Sequence, residues 1–248
     1  GRRRSTVIDT FSGRDLEDIL EDVLKASQGS FVVTFEGDRE GNSRDLRGAA
    51  TAAILSNPGT VRFVMNGRLN ATPDMKRIGE PDMILRDGDQ PNGRPNWTGV
   101  DAKLHKSVKS HKSNVLSYVN LTDIIAGKTV SGEIAKTGRV PQEDALQLVH
   151  YREMLAAHGF STPDNPFGYV IGKSVEGLGL VAVRQDLTVK CYNHNNESAE
   201  ETYFRGFEES LQIVSKAVST GRIPKPRKNG LCTDCSFRDI CASKMEKS

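Results

Sequence analysis

The stretch from Gly79 to His105, GEPDMILRDGDQPNGRPNWTGVDAKLH, constrains the fold of this chain more than any other. Its two ends are apolar runs typical of strands, and its middle is rich in Gly, Pro, Asn and Asp, which favour turns. The stretch therefore predicts a β-hairpin with strands at KRIGEPDMILRD (residues 76–87) and NWTGVDAKLH (residues 96–105). The other helices and strands must pack around a sheet that contains this hairpin.

Three polar side chains on the two predicted strands are candidates for chemistry. Asp82 follows a proline, and Asp101 lies two residues before Lys103. Alternate residues of a strand share a face, so Asp101 and Lys103 project the same way, and strand pairing would place Asp82 beside Asp101. Adjacent carboxylates repel unless a divalent cation neutralises them, and Mg²⁺ or Mn²⁺ prefers oxygen ligands. The pattern is typical either of solvated residues on an exposed hairpin or of a metal site for phosphate chemistry.

Helix and strand patterns flank the hairpin on both sides. Apolar residues at helical spacing, with capping and stop signals, predict helices over residues 12–28, 43–56, 143–158 and 198–221. Apolar runs predict strands at SFVVTFEG, FGYVIG, LGLVAV and LTVKCYN, and TVRFVMNGRLNA predicts a hairpin about Asn66-Gly67. The polar segment 105–142 has only a weak apolar patch, VLSYVNLTDII. This order predicts an α/β fold with a mixed central sheet flanked by helices.

Charge and hydropathy restrict the class of protein. The formal net charge of the 248 residues is only +2, so any basic surface for nucleic acid must be local. No run of 18 apolar residues could span a membrane. The N-terminal GRRRSTVIDTFSGRD lacks the apolar segment of a signal peptide. We therefore expect a cytoplasmic protein without a membrane partner.

A third motif follows the two acidic strands. Gln147 and Tyr151 lie four residues apart on the helix predicted over 143–158, and so on one helical face. The ordered set of PD in GEPDMIL, DAK in GVDAKLH and this Q-x-x-x-Y resembles the PD-(D/E)xK nucleases, specifically the RecB-like branch. The resemblance covers roughly residues 43–245. It implies a restriction-endonuclease-like core and hydrolysis of DNA phosphodiesters by metal-activated water. An exonuclease-like enzyme, acting on linear or single-stranded DNA in repair, recombination or defence, is the implied function.

The resemblance also implies a role for each matching residue. The Mg²⁺ or Mn²⁺ ligands that it implies all come from the acidic strands: Asp82, Asp101 and the carbonyl oxygen of Ala102. Lys103 would be the catalytic lysine near the attacking water, and Gln147 and Tyr151 would position DNA or support the site.

One common element of the family is missing. RecB-like nucleases often carry a His on a helix upstream of the PD strand, whereas the first His here is His105. Asp45, on the helix predicted over 43–56, is the candidate metal ligand in its place, with Glu40 as a second candidate. The alternative function is therefore a catalytically weak or inactive RecB-like module for DNA binding or assembly.

The C-terminal tail suggests a second metal site. Three of the four cysteines lie in CTDCSFRDIC, with C-x2-C-x5-C spacing, which favours a metal or cluster over disulfides in an intracellular protein. The tail resembles that of AddB-type and CRISPR-associated RecB-like exonucleases, in which three such cysteines and one upstream cysteine hold a [4Fe–4S] cluster. The corresponding ligands are Cys232, Cys235 and Cys241, with either Cys191 or a cysteine preceding Gly1 as the fourth. Zinc, with His194 as fourth ligand, is the alternative.

Basic residues next to the second acid suggest contacts with DNA. Lys106, Lys109 and Lys112 follow Asp101 closely, and lysines beside a phosphate-cleaving site would bind the DNA backbone. We expect recognition of DNA shape or ends, and a helicase or another DNA-processing protein is the partner class that the resemblance suggests. The predicted organisation is an N-terminal helix–strand extension (1–42), a nuclease core (43–222) and a cysteine-rich tail (223–248).

Overall fold

The computed structural model describes residues 32–35, 42–106, 116–120, 123–124, 128, 130–134, 141–173, 178, 181–189 and 197–222. Several predicted features lie outside these ranges: the helix over residues 12–28, all four cysteines, His194, Lys109 and Lys112. They stay predictions.

A mixed sheet of eight strands forms the centre of the described residues. The strands are β1 (Val32–Thr34), β2 (Phe63–Met65), β3 (Met83–Asp89), β4 (Pro95–Lys106), β5 (Leu116–Asn120), β6 (Gly132–Ile134), β7 (Phe167–Lys173) and β8 (Val181–Asp186). Their order is β1-β2-β3-β4-β7-β8-β5-β6. The β1/β2 and β4/β7 pairs are parallel and the others antiparallel.

Three long helices accompany the sheet in the described ranges: α1 (Asn42–Ser56), α2 (Gln142–Ala157) and α3 (Ala199–Thr220). The predicted α/β class with a mixed sheet is thus confirmed, and a restriction-endonuclease-like core stays a prediction. The chain has two compact units, Gly1–Tyr203, which contains the sheet, and Phe204–Ser248, which contains most of α3. None of the described helices combines the length and apolar character that a membrane crossing requires.

The predicted hairpin is formed by β3 and β4, but β3 begins at Met83, so the first part of the strand predicted over residues 76–87 lies outside it. Met83 pairs with Val100, and the ladder runs to Asp89 and Pro95, with a register shift after Arg86. The connecting turn is closed by a hydrogen bond of 2.7 Å from the Gln90 amide to the Arg94 carbonyl oxygen. The turn-rich run therefore acts as the hairpin loop, at the opposite end of β3 from Asp82.

The hairpin predicted about Asn66-Gly67 is wrong. β2 ends at Met65 and pairs with β1 and β3 rather than with the residues after the turn. Asn66 has the positive φ, 53°, that the dipeptide suggested, but its amide donates to the Asp82 carbonyl oxygen at 2.9 Å. The local turn signal is correct. The strand partner is decided by burial, since the three residues of β2 are buried and pair with the three buried residues at the start of β3.

The strand predicted at LTVKCYN is also wrong over the residues that the structure describes. Residues 187–189 form a turn after β8. The amide and hydroxyl of Thr188 donate to Asp186 Oδ1 at 2.9 and 2.6 Å, an Asx-type turn that ends the strand. Leu187 is fully buried, which explains the apolar pattern without a strand.

Two strands in the polar segment 105–142 were missed by the sequence patterns. β5 pairs with β8 and β6 pairs with β5, both antiparallel. Both are short, and burial is confined to a few side chains such as Val119 and Ile134. A three- or five-residue strand carries too little alternation to be distinguished from a loop.

The sheet has a different apolar core on each face. One core contains Val100 and packs Ala102 against it. The opposite core includes α2 residues Leu148 and Met154, together with sheet residues such as Trp97. Because successive side chains of a strand alternate, Asp101 and Lys103 project toward the α2 face. The α2 helix therefore lies over the predicted acidic site.

Candidate active site

Asp82 and Asp101 come together at the edge of the β3/β4 hairpin away from its loop. Asp82 immediately precedes β3, and the Met83–Val100 pair places it opposite Asp101 in β4. Asp82 Oδ2 accepts a hydrogen bond of 2.8 Å from the Ala102 amide. The structure thus gathers the two predicted acids and the backbone of Ala102, as strand alternation required.

Asp101 is the buried member of the pair. Its side chain is 1% exposed, and burial raises the pKa of its carboxyl group to about 7; Asp82 acts in the same direction, and the Lys103 ammonium opposes it. Within the described residues, Asp101 Oδ2 has the Lys103 ammonium group 2.6 Å away. A buried carboxyl group beside a second one is a place where a bound cation would lower the free energy, because it would offset the repulsion between the two carboxylates.

Lys103 bridges the acidic pair and the helix above it. Its Nζ atom lies 2.6 Å from Asp101 Oδ2 and donates to Gln147 Oε1 at 2.8 Å. Its side chain keeps 23% exposure, so the ammonium group is held in place and remains reachable. One cation therefore faces two carboxyl groups, which leaves a negative excess when both are ionised.

Gln147 and Tyr151 hold that lysine through a chain of hydrogen bonds. Gln147 Nε2 donates to Tyr151 Oη at 2.7 Å, and Tyr151 Oη donates to the Glu80 carbonyl oxygen at 3.3 Å. Burial raises the pKa of Tyr151 to about 12, so the phenol stays protonated at neutral pH and keeps its role as a donor. Of the predicted Q-x-x-x-Y pair, Gln147 thus contacts Lys103, and Tyr151 supports the lysine through Gln147.

Glycines allow α2 to approach the sheet closely at this point. A Cβ atom on Gly99 would lie 2.9 Å from Tyr151 Cβ, and one on Gly168 would lie 2.9 Å from Leu148 Cβ. Glycine inside a strand marks such a close approach. The short distance between β4 and α2 is what lets Gln147 reach Lys103.

The residues fit a hard divalent cation. In the described part of the chain no group of three or more His, Cys, Asp or Glu side chains could hold a metal. Mg²⁺ and Mn²⁺ nevertheless need only one or two carboxylates, because water and backbone oxygens complete their coordination. Asp82 and Asp101 supply that pair, with their carboxyl groups side by side. Zinc, which favours His and Cys ligands, fits this site poorly.

A cluster of three arginines around Glu80, next to the acids, was missed by the sequence patterns. Glu80 Oε2 lies 2.7 Å from Arg47 Nη2, and its Oε1 accepts a hydrogen bond of 2.5 Å from Arg68 Nη1 and lies 3.7 Å from Arg44 Nε. The signal in the sequence was the pair of arginines three residues apart at the start of a helix, with Glu80 two residues before Asp82.

Asp45, the predicted substitute for the missing histidine, is exposed. Arg44 and Arg47 contact Glu80 instead. Asp45 is one residue from Arg44 and two residues from Arg47, so it lies on a different face of the helix from both. The structure does not bring Asp45 into the acidic pair, and Glu40 lies outside the described residues.

Of the remaining predicted site residues, the structure describes only the backbone of Lys106. The backbone of Lys106 ends β4 and pairs with Lys173. Its side chain, like Lys109 and Lys112, lies outside the described residues, as do Cys191, Cys232, Cys235 and Cys241. Their DNA-binding and cluster-binding roles stay predictions.

No protein-family model, no curated protein and no solved structure matches this chain. Conclusions about its function therefore rest on the residues of the site.

Proposed function

We propose that the protein is a metal-dependent DNA nuclease of the PD-(D/E)xK type, similar to the RecB-like branch. One observation supports this above all. The carboxyl groups of Asp82, immediately before β3, and of Asp101, in β4, lie together beside Lys103, and Asp101 is fully buried. Such a site would hold Mg²⁺ or Mn²⁺ with oxygen ligands and would leave an ammonium group next to the reacting atoms.

The site residues divide the work of phosphodiester hydrolysis. A bound Mg²⁺ or Mn²⁺ would supply charge neutralisation at the phosphate and a water of lowered pKa. Asp82 and Asp101 would hold the ion, and the amide of Ala102, which donates to Asp82 Oδ2, orients Asp82. Lys103, held by Gln147, donates to the attacking water or to the phosphate oxygen that gains charge. Tyr151 keeps Gln147 in the orientation that accepts from the lysine.

The assay for this proposal compares two lysine variants on DNA. Purified protein is incubated with linear single- and double-stranded DNA and Mg²⁺ or Mn²⁺. Lys103→Ala should cut at least about 100-fold more slowly than the wild type, because it removes a donor to developing charge. Lys76→Ala is the matched control, since Lys76 is half exposed and pairs with Asp74. Equal cutting by the Lys103→Ala and wild-type proteins would rule out this mechanism.

Exonuclease action is the finer part of the proposal. A circular single strand offers no end, so an exonuclease leaves it intact while it degrades the linear strand of the same sequence. Cutting of both at similar rates would assign endonuclease action instead.

The alternative is a RecB-like module that binds DNA without cutting it. The observation that favours it is on α1, which presents Arg44 and Arg47 near the site rather than a histidine or an acid. DNA binding in the absence of any Mg²⁺- or Mn²⁺-dependent cleavage, across a range of buffers, would establish this alternative.

The cysteine site belongs to the same proposal and has its own test. Cys232, Cys235 and Cys241 are expected to hold a [4Fe–4S] cluster or zinc, with Cys191, an upstream cysteine or His194 as fourth ligand. Anaerobically purified protein with a broad absorbance band at about 400 nm contains the cluster. A colourless protein that carries zinc by elemental analysis contains the alternative.

A further inference from the structure

We propose that Arg44, Arg47 and Arg68 form a subsite that binds the terminal phosphate of a DNA strand beside the acidic pair. The identity of the ligand as DNA rests on the proposed function. The inference goes further, because it names the strand end as the feature that the protein recognises.

The subsite is assembled from two distant segments. Arg44 and Arg47 lie three residues apart on α1, and Arg68 follows β2; all three converge on the carboxylate of Glu80. The Arg68 amide donates to Thr51 Oγ1 at 3.1 Å, which fixes the segment after β2 against α1. The three guanidinium groups are therefore held by the fold rather than gathered by chance on a surface.

Among the residues that the structure describes, the charges of the subsite do not balance. Guanidinium groups stay protonated at neutral pH, so three of them facing one carboxylate leave an excess of two positive charges. Partial burial acts to raise the pKa of Glu80, but the guanidinium groups of Arg68 and Arg47 outweigh it and hold the pKa below its usual value. Glu80 is thus ionised and still neutralises only one of the three cations. A terminal phosphate monoester, with about −1.5 to −2 charges at pH 7, matches the excess better than a diester with one.

Hydrogen-bond donors are also in excess. Arg47 Nε and Arg68 Nε are buried without a hydrogen bond in the part of the chain that the structure describes, whereas Arg47 Nη2 contacts Glu80 Oε2. The two side chains are only 10% and 11% exposed, so water does not readily replace the missing partners. Phosphate oxygens are strong acceptors for guanidinium groups. Arg44 is 47% exposed, so a ligand would enter from its side.

The placement of the arginines on α1 gives a separate reason to expect an anion. Arg44 lies in the first turn of α1, where the helix dipole is positive and cations are unfavourable, and Arg47 lies in the second turn. The position of Arg44 costs helix stability, and a phosphate bound at this helix end would be favourable.

The subsite adjoins the reaction site. Glu80 is two residues before Asp82. Its carbonyl oxygen accepts a hydrogen bond from Tyr151, which is bonded to Gln147, the residue that accepts from Lys103. Two residues of extended chain span at most about 7 Å. The arginines and the acidic pair are therefore close enough to contact neighbouring phosphates of one strand. A strand end held here would place a phosphodiester near its terminus at the acidic pair.

Binding without metal tests the subsite independently of cleavage. Fluorescent single strands of one sequence carry a 5′-phosphate, a 3′-phosphate or only hydroxyl ends, with the dye at the opposite end. Their dissociation constants are measured in EDTA at constant salt. One phosphorylated end should bind about tenfold more tightly than the hydroxyl strand, and Arg44→Gln and Arg47→Gln should remove the difference. Arg94→Gln, an exposed arginine in the hairpin loop, should keep it.

Two further comparisons keep the result unambiguous. Equal affinity for phosphorylated and hydroxyl strands overturns the proposal, and so does equal competition by a circular strand, which offers only internal phosphates. Arg44→Glu serves if buried Arg47→Gln does not fold, because Arg44 is half exposed. A phosphate preference without cleavage refutes the nuclease and leaves the subsite, whereas cleavage without the preference refutes the subsite alone.

Discussion

Two neighbouring regions of this protein carry opposite imbalances of charge. At the acidic pair, Asp82 and Asp101 face a single ammonium group from Lys103. At the arginine subsite, three guanidinium groups face the single carboxylate of Glu80. Glu80 and Asp82 are two residues apart in the sequence.

The opposite charges indicate what each region can bind. A negative excess with a buried carboxyl group suits a cation, and a positive excess with donors that lack a hydrogen bond suits an anion. A metal-dependent phosphodiesterase needs both, because its substrate is an anion and its cofactor is a cation. The two regions are therefore parts of one proposed site, and each can be broken without the other.

The largest expected effect is on the acidic pair. Asp101→Asn should lower DNA cleavage at least about 100-fold and abolish the rise in melting temperature that Mn²⁺ causes, because a neutral amide is a weak ligand for a hard cation. The preference for phosphorylated strand ends in EDTA should persist. Asp89→Asn, at the exposed loop end of β3, is the control and should behave as the wild type. An undiminished Mn²⁺ effect in Asp101→Asn would place the ion elsewhere.

Gly99→Ala should separate the two regions by geometry. The new Cβ atom would meet Tyr151 Cβ at 2.9 Å, so α2 must shift, at a cost of about 1–3 kcal/mol in the free energy of unfolding. Mn²⁺ binding should weaken with it, since Gln147 moves with α2, and the phosphate preference should change less. Urea denaturation measures the first effect. Gly206→Ala, with open space around it, should instead stabilise by about 0.5–1 kcal/mol.

The pH dependence of stability should reveal the acidic pair in the metal-free protein. Burial raises the pKa of Asp101 from 3.8 to about 7, so the folded state holds a proton that the unfolded state releases between these pH values. Stability contributed by this group is present below about pH 4 and is lost as the pH rises toward 7, by up to about 1.4 kcal/mol per unit. Urea denaturation in EDTA, compared with Asp101→Asn, isolates this slope. Parallel curves for the two proteins would contradict it.

The smallest effect concerns the link between the regions. Tyr151→Phe removes the acceptor of Gln147 and the donor to the Glu80 carbonyl oxygen, at a cost of about 1 kcal/mol in unfolding free energy. A double-mutant cycle with Gln147→Leu should give a coupling energy of about 0.5–1 kcal/mol. Strict additivity would show that the two side chains support the site independently.

Much of the acidic site could be predicted because its pattern is local. Strand alternation placed Asp101 and Lys103 on one face of the strand, and helical spacing placed Gln147 and Tyr151 on one face of the helix. The structure brings these residues together with Asp82, as those periodicities required. The hairpin about Asn66-Gly67 failed for the converse reason. Its turn signal was local, but the partner of β2 was decided by distant strands.

Local sequence patterns were enough to predict the α/β class, the β3/β4 hairpin and the common face of Asp101 and Lys103. Long-range packing places Arg44, Arg47 and Arg68 at Glu80, leaves Asp45 exposed and adds β5 and β6 to the sheet. Periodicity acts over a few residues, whereas ion pairs and strand partners join segments tens of residues apart. The geometry of these ion pairs and strand pairs depends on how α1 and the strands pack. That packing cannot be predicted from any single stretch of the chain.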